Sequence, residues 1–239
     1  MVIGGLWLTR VVASSYQPTR GSPPRPQTEV KTMQQLCPDL WQTTAEHPFG
    51  PDVTTHAYLW RGPAGNVLFY NTGLAEEIEA LAPLGGVAWQ YLSHRDEVSP
   101  SLAAIHARFG TRLRCHALEA PAAQAVTPVE ATFDATHVPL PGLEVIPTPG
   151  HTVGSTCFRV QGAAGIYLFT GDSLFPDGDG WSTYVGTDQR ATLADSLDRL
   201  RSPTPALVLA SAARHPHGYR AVDGPQWQRI LDTAIGDLR

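Results

Sequence analysis

From Leu36 onward, apolar and polar positions divide the chain into short strand-like runs separated by Gly/Pro turns. Runs at residues 40–43, 54–60 and 66–70 predict three opening strands, and Arg61-Gly62-Pro63-Ala64-Gly65 predicts a hairpin turn between the second and third. Residues 75–82 have helical spacing, with Ile78 and Leu81 on one face. The apolar run 87–92 predicts a buried strand. A helix is predicted at 100–109, with Ser99 as its N-cap and Pro100 at the first helical position. Further strands are predicted at 112–116, 143–146, 156–160, 166–170 and 206–210. Helices are predicted at 190–200, where Leu193, Leu197 and Leu200 align, and at 225–238. Residues 117–136 fit neither periodicity. The fold class expected is α+β: two mixed β-sheets packed face to face, with helices outside.

Composition narrows the setting. The 239 residues suffice for one large domain with a buried core, and 42% hydrophobic with 16% charged residues is an ordinary globular balance. A net charge of -5 without a Lys/Arg block argues against a nucleic-acid partner. No apolar run is long enough to span a membrane as a helix. Cys37, Cys115 and Cys157 are odd in number and widely spaced; they form no zinc-type pair and no disulfide framework, so a cytoplasmic location is expected, with the thiols buried and inert. The stretch Met1 to Leu8 is apolar but short, lacks a preceding basic stretch, and is closed by Arg10. Residues 14–32 are rich in Pro, Ser, Thr and Gln. Residues 1–33 are therefore expected to be a disordered N-terminal extension, with Met33 as the expected true start, and residues 34–239 a single folded domain.

Three polar constellations each follow an apolar strand: His94-Arg95-Asp96-Glu97, Pro149-Gly150-His151-Thr152 and Gly171-Asp172-Ser173. Strand ends are rigid platforms from which side chains converge on one rim. Imidazole nitrogen and carboxylate oxygen are suitable ligands for zinc or iron. The chain contains no Gly-x-Ser-x-Gly elbow, phosphate loop or dinucleotide fingerprint. Other candidates have plainer readings. His215-Pro216-His217 reads as an exposed loop and His116 as structural or surface. Residues 175–181 read as a mobile loop, from which Trp181 or Tyr184 would line a substrate pocket.

In this order the constellations carry a resemblance. Thr148-Pro149-Gly150-His151-Thr152-Val153-Gly154-Ser155 resembles a metal-binding motif of the metallo-β-lactamase superfamily, and Phe169-Thr170-Gly171-Asp172-Ser173-Leu174-Phe175 resembles its bridging-aspartate motif. Tyr91-Leu92-Ser93-His94 resembles the start of its H-x-H-x-D-H loop, and the run from Asn66 to Gly73 resembles its opening hairpin. The resemblance covers about Leu36 to the C-terminus and implies an αβ/βα sandwich with a metal site along one edge.

The departures are grouped. On the H-x-H-x-D-H pattern the chain reads His94-Arg95-Asp96-Glu97-Val98-Ser99, and the family's late histidine falls near Ala212. The resemblance therefore implies one divalent metal rather than two, held by His94, Asp96, His151 and Asp172. Zinc is the expected ion, with iron or manganese as alternatives. Asp172 and Glu97 are the expected catalytic carboxylates, Glu97 standing in for the missing base; a solvated loop carboxylate is its plainer reading. The implied activity is hydrolysis of a small-molecule ester, thioester or lactone. The alternative is a non-catalytic binding protein that kept the fold.

Overall fold

The computed structural model describes residues 32–239. The expected N-terminal extension lies almost wholly outside the described residues. Elements run in the order β1 (Gln34–Cys37), β2 (Leu40–Gln42), β3 (Thr54–Thr55), β4 (Tyr58–Gly62), β5 (Gly65–Phe69), α1 (Ala75–Ala80), β6 (Trp89–Tyr91), α2 (Ser101–Phe109), β7 (Arg112–His116), α3 (Ala120–Gln124) and β8 (Val129–Phe133). They continue with β9 (His137–Leu140), β10 (Leu143–Pro147), β11 (Thr156–Gly162), β12 (Gly165–Gly171), β13 (Phe175–Asp177), β14 (Gly180–Ser182), α4 (Arg190–Asp198), β15 (Leu207–Ala210), β16 (Ala212–Ala213), β17 (Tyr219–Ala221) and α5 (Gly224–Leu238).

One sheet has the order β1-β2-β4-β5-β6-β7-β8 and the other β17-β15-β12-β11-β10-β9. Both are mixed: β5 to β8 pair in parallel, and β12 pairs in parallel with β15. Period-two alternation along the strands explains the layering. On β12, Tyr167 and Phe169 enter the core between the sheets, while Leu168 faces the opposite way, into a cluster with Leu193 and Leu197 of α4 and Trp227 and Leu231 of α5. Between the sheets, the Phe69 and Phe169 rings stack with centroids 3.9 Å apart, and Phe158 stands 5.3 Å from Phe69. Leu102 of α2 and Ala120 and Ala123 of α3 bury against Leu92, Leu113 and Cys115. The expected sandwich of two mixed sheets with helices outside is thus the observed one.

Several predicted elements differ locally. The run 54–60 is broken: Thr54 and Thr55 pair with Ala213 and Ala212, whereas β4 pairs with β2 and β5, so the chain changes sheets at His56-Ala57. Ser99 does not cap α2, because its hydroxyl bonds Ser101 and accepts from Asn71 Nδ2. The unassigned stretch 117–136 forms α3 and β8, and residues 175–182 form the hairpin β13–β14 rather than a loop.

Strand directions aim the site. β10 and β12 are both antiparallel to β11, and β15 is parallel to β12, so β10, β12 and β15 end at the same edge of their sheet. Two ties join that edge to the other sheet near the end of β6. Thr156 N–H donates to Ser93 O at 3.0 Å, and Tyr70 Oη both accepts from Gly171 N–H at 2.9 Å and donates to Leu209 O at 2.8 Å. Tyr70 reaches this position with φ 69, a left-handed conformation that costs a non-glycine residue about 1 kcal/mol or more.

Candidate metal centre

His94 leaves the end of β6 in extended conformation, just before the 3-10 turn Arg95–Glu97. Its ring is only 2% exposed. Nδ1 meets Ser93 Oγ at 2.7 Å and Glu97 Oε1 at 3.3 Å, leaving Nε2 to face Asp172 Oδ2 at 3.4 Å. A carboxylate behind a histidine, on the nitrogen away from the site, fixes ring orientation and raises the basicity of the free nitrogen.

His151 lies in the loop between β10 and β11. Gly150 precedes it at φ 150, and a Cβ there would lie 2.8 Å from the Leu193 backbone, so the turn that presents His151 needs glycine. His151 Nδ1 pairs with Tyr184 O at 2.9 Å; since a carbonyl only accepts, Nδ1 carries the proton and Nε2 is left with its lone pair. That Nε2 is buried with no hydrogen-bond partner among the described residues, 3.8 Å from Asp172 Oδ2 and 3.4 Å from Asp96 Oδ2. A buried unpartnered ring nitrogen costs free energy unless a ligand binds it.

Asp172 follows β12. Its Oδ1 accepts from the Ser211 hydroxyl and from Ala212 N–H at 3.1 Å. Burial alone would raise its pKa, but His94, His151 and Ser211 outweigh burial and hold the carboxyl well below the usual carboxylate range. Burial opposes charge on His94 too, yet Asp172 and Glu97 raise its pKa well above that of free imidazole. His151 shifts downward, because burial and neighbouring His94 both disfavour its cation.

Donor atoms of His94, His151 and Asp172 all lie within 4.8 Å of one another. Asp96 is outside that mutually close set: it reaches His151 but stands at the rim with a side chain 49% exposed. Two nitrogens and one oxygen, one of them an orphaned buried nitrogen, fit a divalent cation such as zinc. Tetrahedral zinc with bonds of about 2.0–2.1 Å separates neighbouring donors by about 3.3–3.4 Å. The His94–Asp172 separation of 3.4 Å matches that spacing, and His151–Asp172 is wider at 3.8 Å.

Glu97 is not a solvated loop carboxylate. Its oxygens accept from Ser93 N–H at 2.9 Å and from the Ser93 hydroxyl, and it sits at the Nδ1 side of His94, away from Asp172. Val98, Ser99 and Ala212 line a cavity of about 300 Å³ beside the cluster, together with Phe49, His56 and Tyr70. A second cavity of about 320 Å³ is lined by Val53, Phe175, Tyr184, Ala213 and Arg214, and shares Phe49, Asp96, Asp172 and Ala212 with the first. Arg214 is the one Lys or Arg side chain among the described residues lining either cavity. His215 and His217 bond each other on an exposed turn, and His116 Nδ1 accepts from Leu118 N–H, so none of the three joins the cluster. Trp181 packs at the α4–α5 cluster instead. Cys115 and Cys157 are buried, and burial pushes their thiols up to about 12 and about 11, which suits inert packing groups.

Sequence reasoning missed Glu119, which lies in the stretch without clear periodicity and ties together the loops carrying both histidines. It also missed Tyr70 and Ser211, whose hydroxyls hold the end of β12 and Asp172. None of these has a sequence signature; a buried Glu next to a metal-type loop is visible only once the loops are placed.

The profile of the metallo-beta-lactamase superfamily matches residues 70–212, which contain all the residues of the cluster. The chain belongs to that superfamily. Solved structures similar to it include a metallo-beta-lactamase from Hirschia baltica (15% identity, covering 87% of this chain and 99% of that one, TM-score 0.65). The metallo-beta-lactamase FIM-1 from Pseudomonas aeruginosa, in its mono-zinc form, is another (16%, 85% and 96%, TM-score 0.63). A third, from Cronobacter sakazakii, is described by a HARLDQ motif, which like His94 to Ser99 departs from H-x-H-x-D-H (16%, 87% and 96%, TM-score 0.60). At these identities the likeness shows the shared fold. No curated protein sequence matches the chain. Among the described residues no helix of this superfamily member is long and apolar enough to cross a membrane.

Proposed function

We propose that this superfamily member is a mononuclear metal-dependent hydrolase of small esters, thioesters or lactones. The observation that carries the reading is the buried Nε2 of His151, which has no hydrogen-bond partner among the described residues and lies within 4.8 Å of donors from His94 and Asp172. His94, His151 and Asp172 would hold one divalent ion, zinc in the first instance, with Asp96 as a fourth, solvent-side ligand. A bound ion supplies Lewis acidity towards the substrate carbonyl.

The chain's own residues do the rest. Tyr184 O keeps the His151 proton on Nδ1, and Glu97 with Ser93 keeps His94 Nε2 aimed at the cluster. Glu97 is therefore a positioning residue, not the base it was expected to be. Asp172, held ionised, supplies the anionic ligand oxygen Oδ2, and Ser211 fixes its other oxygen. The apolar walls formed by Phe49, Val98 and Ala212 take the acyl group, and Arg214 receives an anionic end of the substrate.

A second reading, a non-catalytic binding protein, is favoured by one observation: Asp96 lies outside the close set, leaving three ligands. Chelator-sensitive hydrolysis of a panel of esters, thioesters and lactones, restored by added zinc, supports the enzyme. Metal binding with no turnover on any class supports the second reading.

A further inference from the structure

We propose that Glu119 is a positioning residue for the metal centre, a clasp that sets the distance between its two histidine ligands. The proposal rests on the mononuclear reading above. Glu119 follows β7, in a turn closed by its own N–H donating to His116 O at 2.9 Å, and is only 2% exposed. Its two oxygens accept five hydrogen bonds. Oε2 takes Arg95 N–H at 3.1 Å and Arg95 Nε–H at 2.6 Å. Oε1 takes Arg95 Nη2–H at 2.9 Å, the Thr152 hydroxyl at 2.9 Å and Gly154 N–H at 2.8 Å. Arg95 follows His94 in the chain, and Thr152 follows His151. One buried carboxylate thus grips the residue after each histidine.

The fit is tight from the loop side as well. A Cβ on Gly154 would lie 2.5 Å from Glu119 Oε1 and 2.7 Å from its Cγ, so this loop approaches the carboxylate as only glycine allows. The His151 loop is internally stiff: Thr152 N–H donates to Ser155 Oγ at 2.8 Å and Gly150 N–H to Thr152 O at 3.0 Å. Pulling on Thr152 and Gly154 therefore moves His151 with them. Ionic hydrogen bonds of this kind are stronger than neutral ones, and residues that orient metal ligands commonly govern affinity by 10–100-fold.

The test is zinc affinity by competition with a chromophoric chelator, together with the visible spectrum of the cobalt-loaded protein. It is run on the wild type, Glu119→Gln, Glu119→Ala and Gly154→Ala. Gln keeps an acceptor for Thr152 and Gly154 but turns an N–H against Arg95, so affinity should fall about tenfold; Ala should cost about a hundredfold. Gly154→Ala, which retains Glu119 but displaces it, should also weaken zinc and alter the cobalt bands. If a Glu119 variant fails to fold, Gly154→Ala and Thr152→Val carry the same test. Wild-type zinc affinity and an unchanged cobalt spectrum in the folded variants would overturn the clasp. Absence of metal binding by the wild type would overturn the mononuclear reading, and the clasp with it.

Discussion

Ser211 donates its hydroxyl proton to Asp172 Oδ1, and this leaves Oδ2 as the oxygen that faces both His94 and His151. The carboxylate is thereby held in one orientation by a residue at the end of the neighbouring strand β15. Replacing Ser211 with Ala removes this bond but leaves Ala212 N–H on the same oxygen. The expected outcome is an approximately tenfold loss of zinc affinity with a stability loss of about 1 kcal/mol. Chelator competition and urea unfolding measure the two separately. Unchanged affinity would mean that Ala212 N–H alone orients Asp172.

Tyr70 joins the two sheets at the site edge. Tyr70→Phe leaves Gly171 N–H buried without its acceptor, whereas Leu209 O keeps the Thr170 hydroxyl at 3.3 Å. The expected destabilisation is about 1–3 kcal/mol in urea, the cost of one unsatisfied buried donor. Unaltered stability would show that the backbone at Gly171 finds another partner.

Arg214 bears on substrate choice. Its nearest carboxylate among the described residues, Asp177, is 3.8 Å away, so the guanidinium is loosely paired and can take a substrate anion. Arg214→Ala should raise KM about tenfold for a carboxylate-bearing ester and leave kcat, and both constants for a neutral ester, nearly unchanged. Equal effects on the two substrates would remove Arg214 from recognition.

Glu119 also makes stability depend on pH. Burial would raise its pKa, but Arg95, Thr152 and Gly154 outweigh burial and hold it below that of a free glutamate. A group whose folded pKa is depressed contributes stability above its unfolded pKa, near 4.3, and loses it as pH falls through the folded value. Wild type should therefore lose stability on acidification more steeply than Glu119→Gln. Parallel profiles of urea midpoint from pH 6 downward would contradict this.

The strand ends that carry His94, His151 and Asp172 were legible in the sequence because buried strands read as apolar runs and glycines mark the turns after them. Helix α4 was legible through its aligned leucines Leu193, Leu197 and Leu200, and α5 was expected at 225–238. The break at His56-Ala57 was not: the β-branched pair Thr54-Thr55 and the apolar run Tyr58 to Trp60 both suit a strand, and only pairing of Thr55 with Ala212 separates them. Nor was α3, five residues long and built largely of alanine, which leaves no periodic signal. At the site, sequence placed the three converging donors but read Glu97 and Asp96 without depth. Burial turns Glu97 towards the back of His94, while half-exposure keeps Asp96 at the rim. Partners such as Glu119, Tyr70 and Ser211 act across sequence separations of 24 residues or more, which no local pattern encodes.

Metal stoichiometry tests the central claim most directly. Protein purified without chelator, and then titrated with zinc under elemental analysis, should bind one equivalent per chain, and His151→Ala should bind none tightly. Two tight equivalents, or one that survives His151→Ala, would contradict the account.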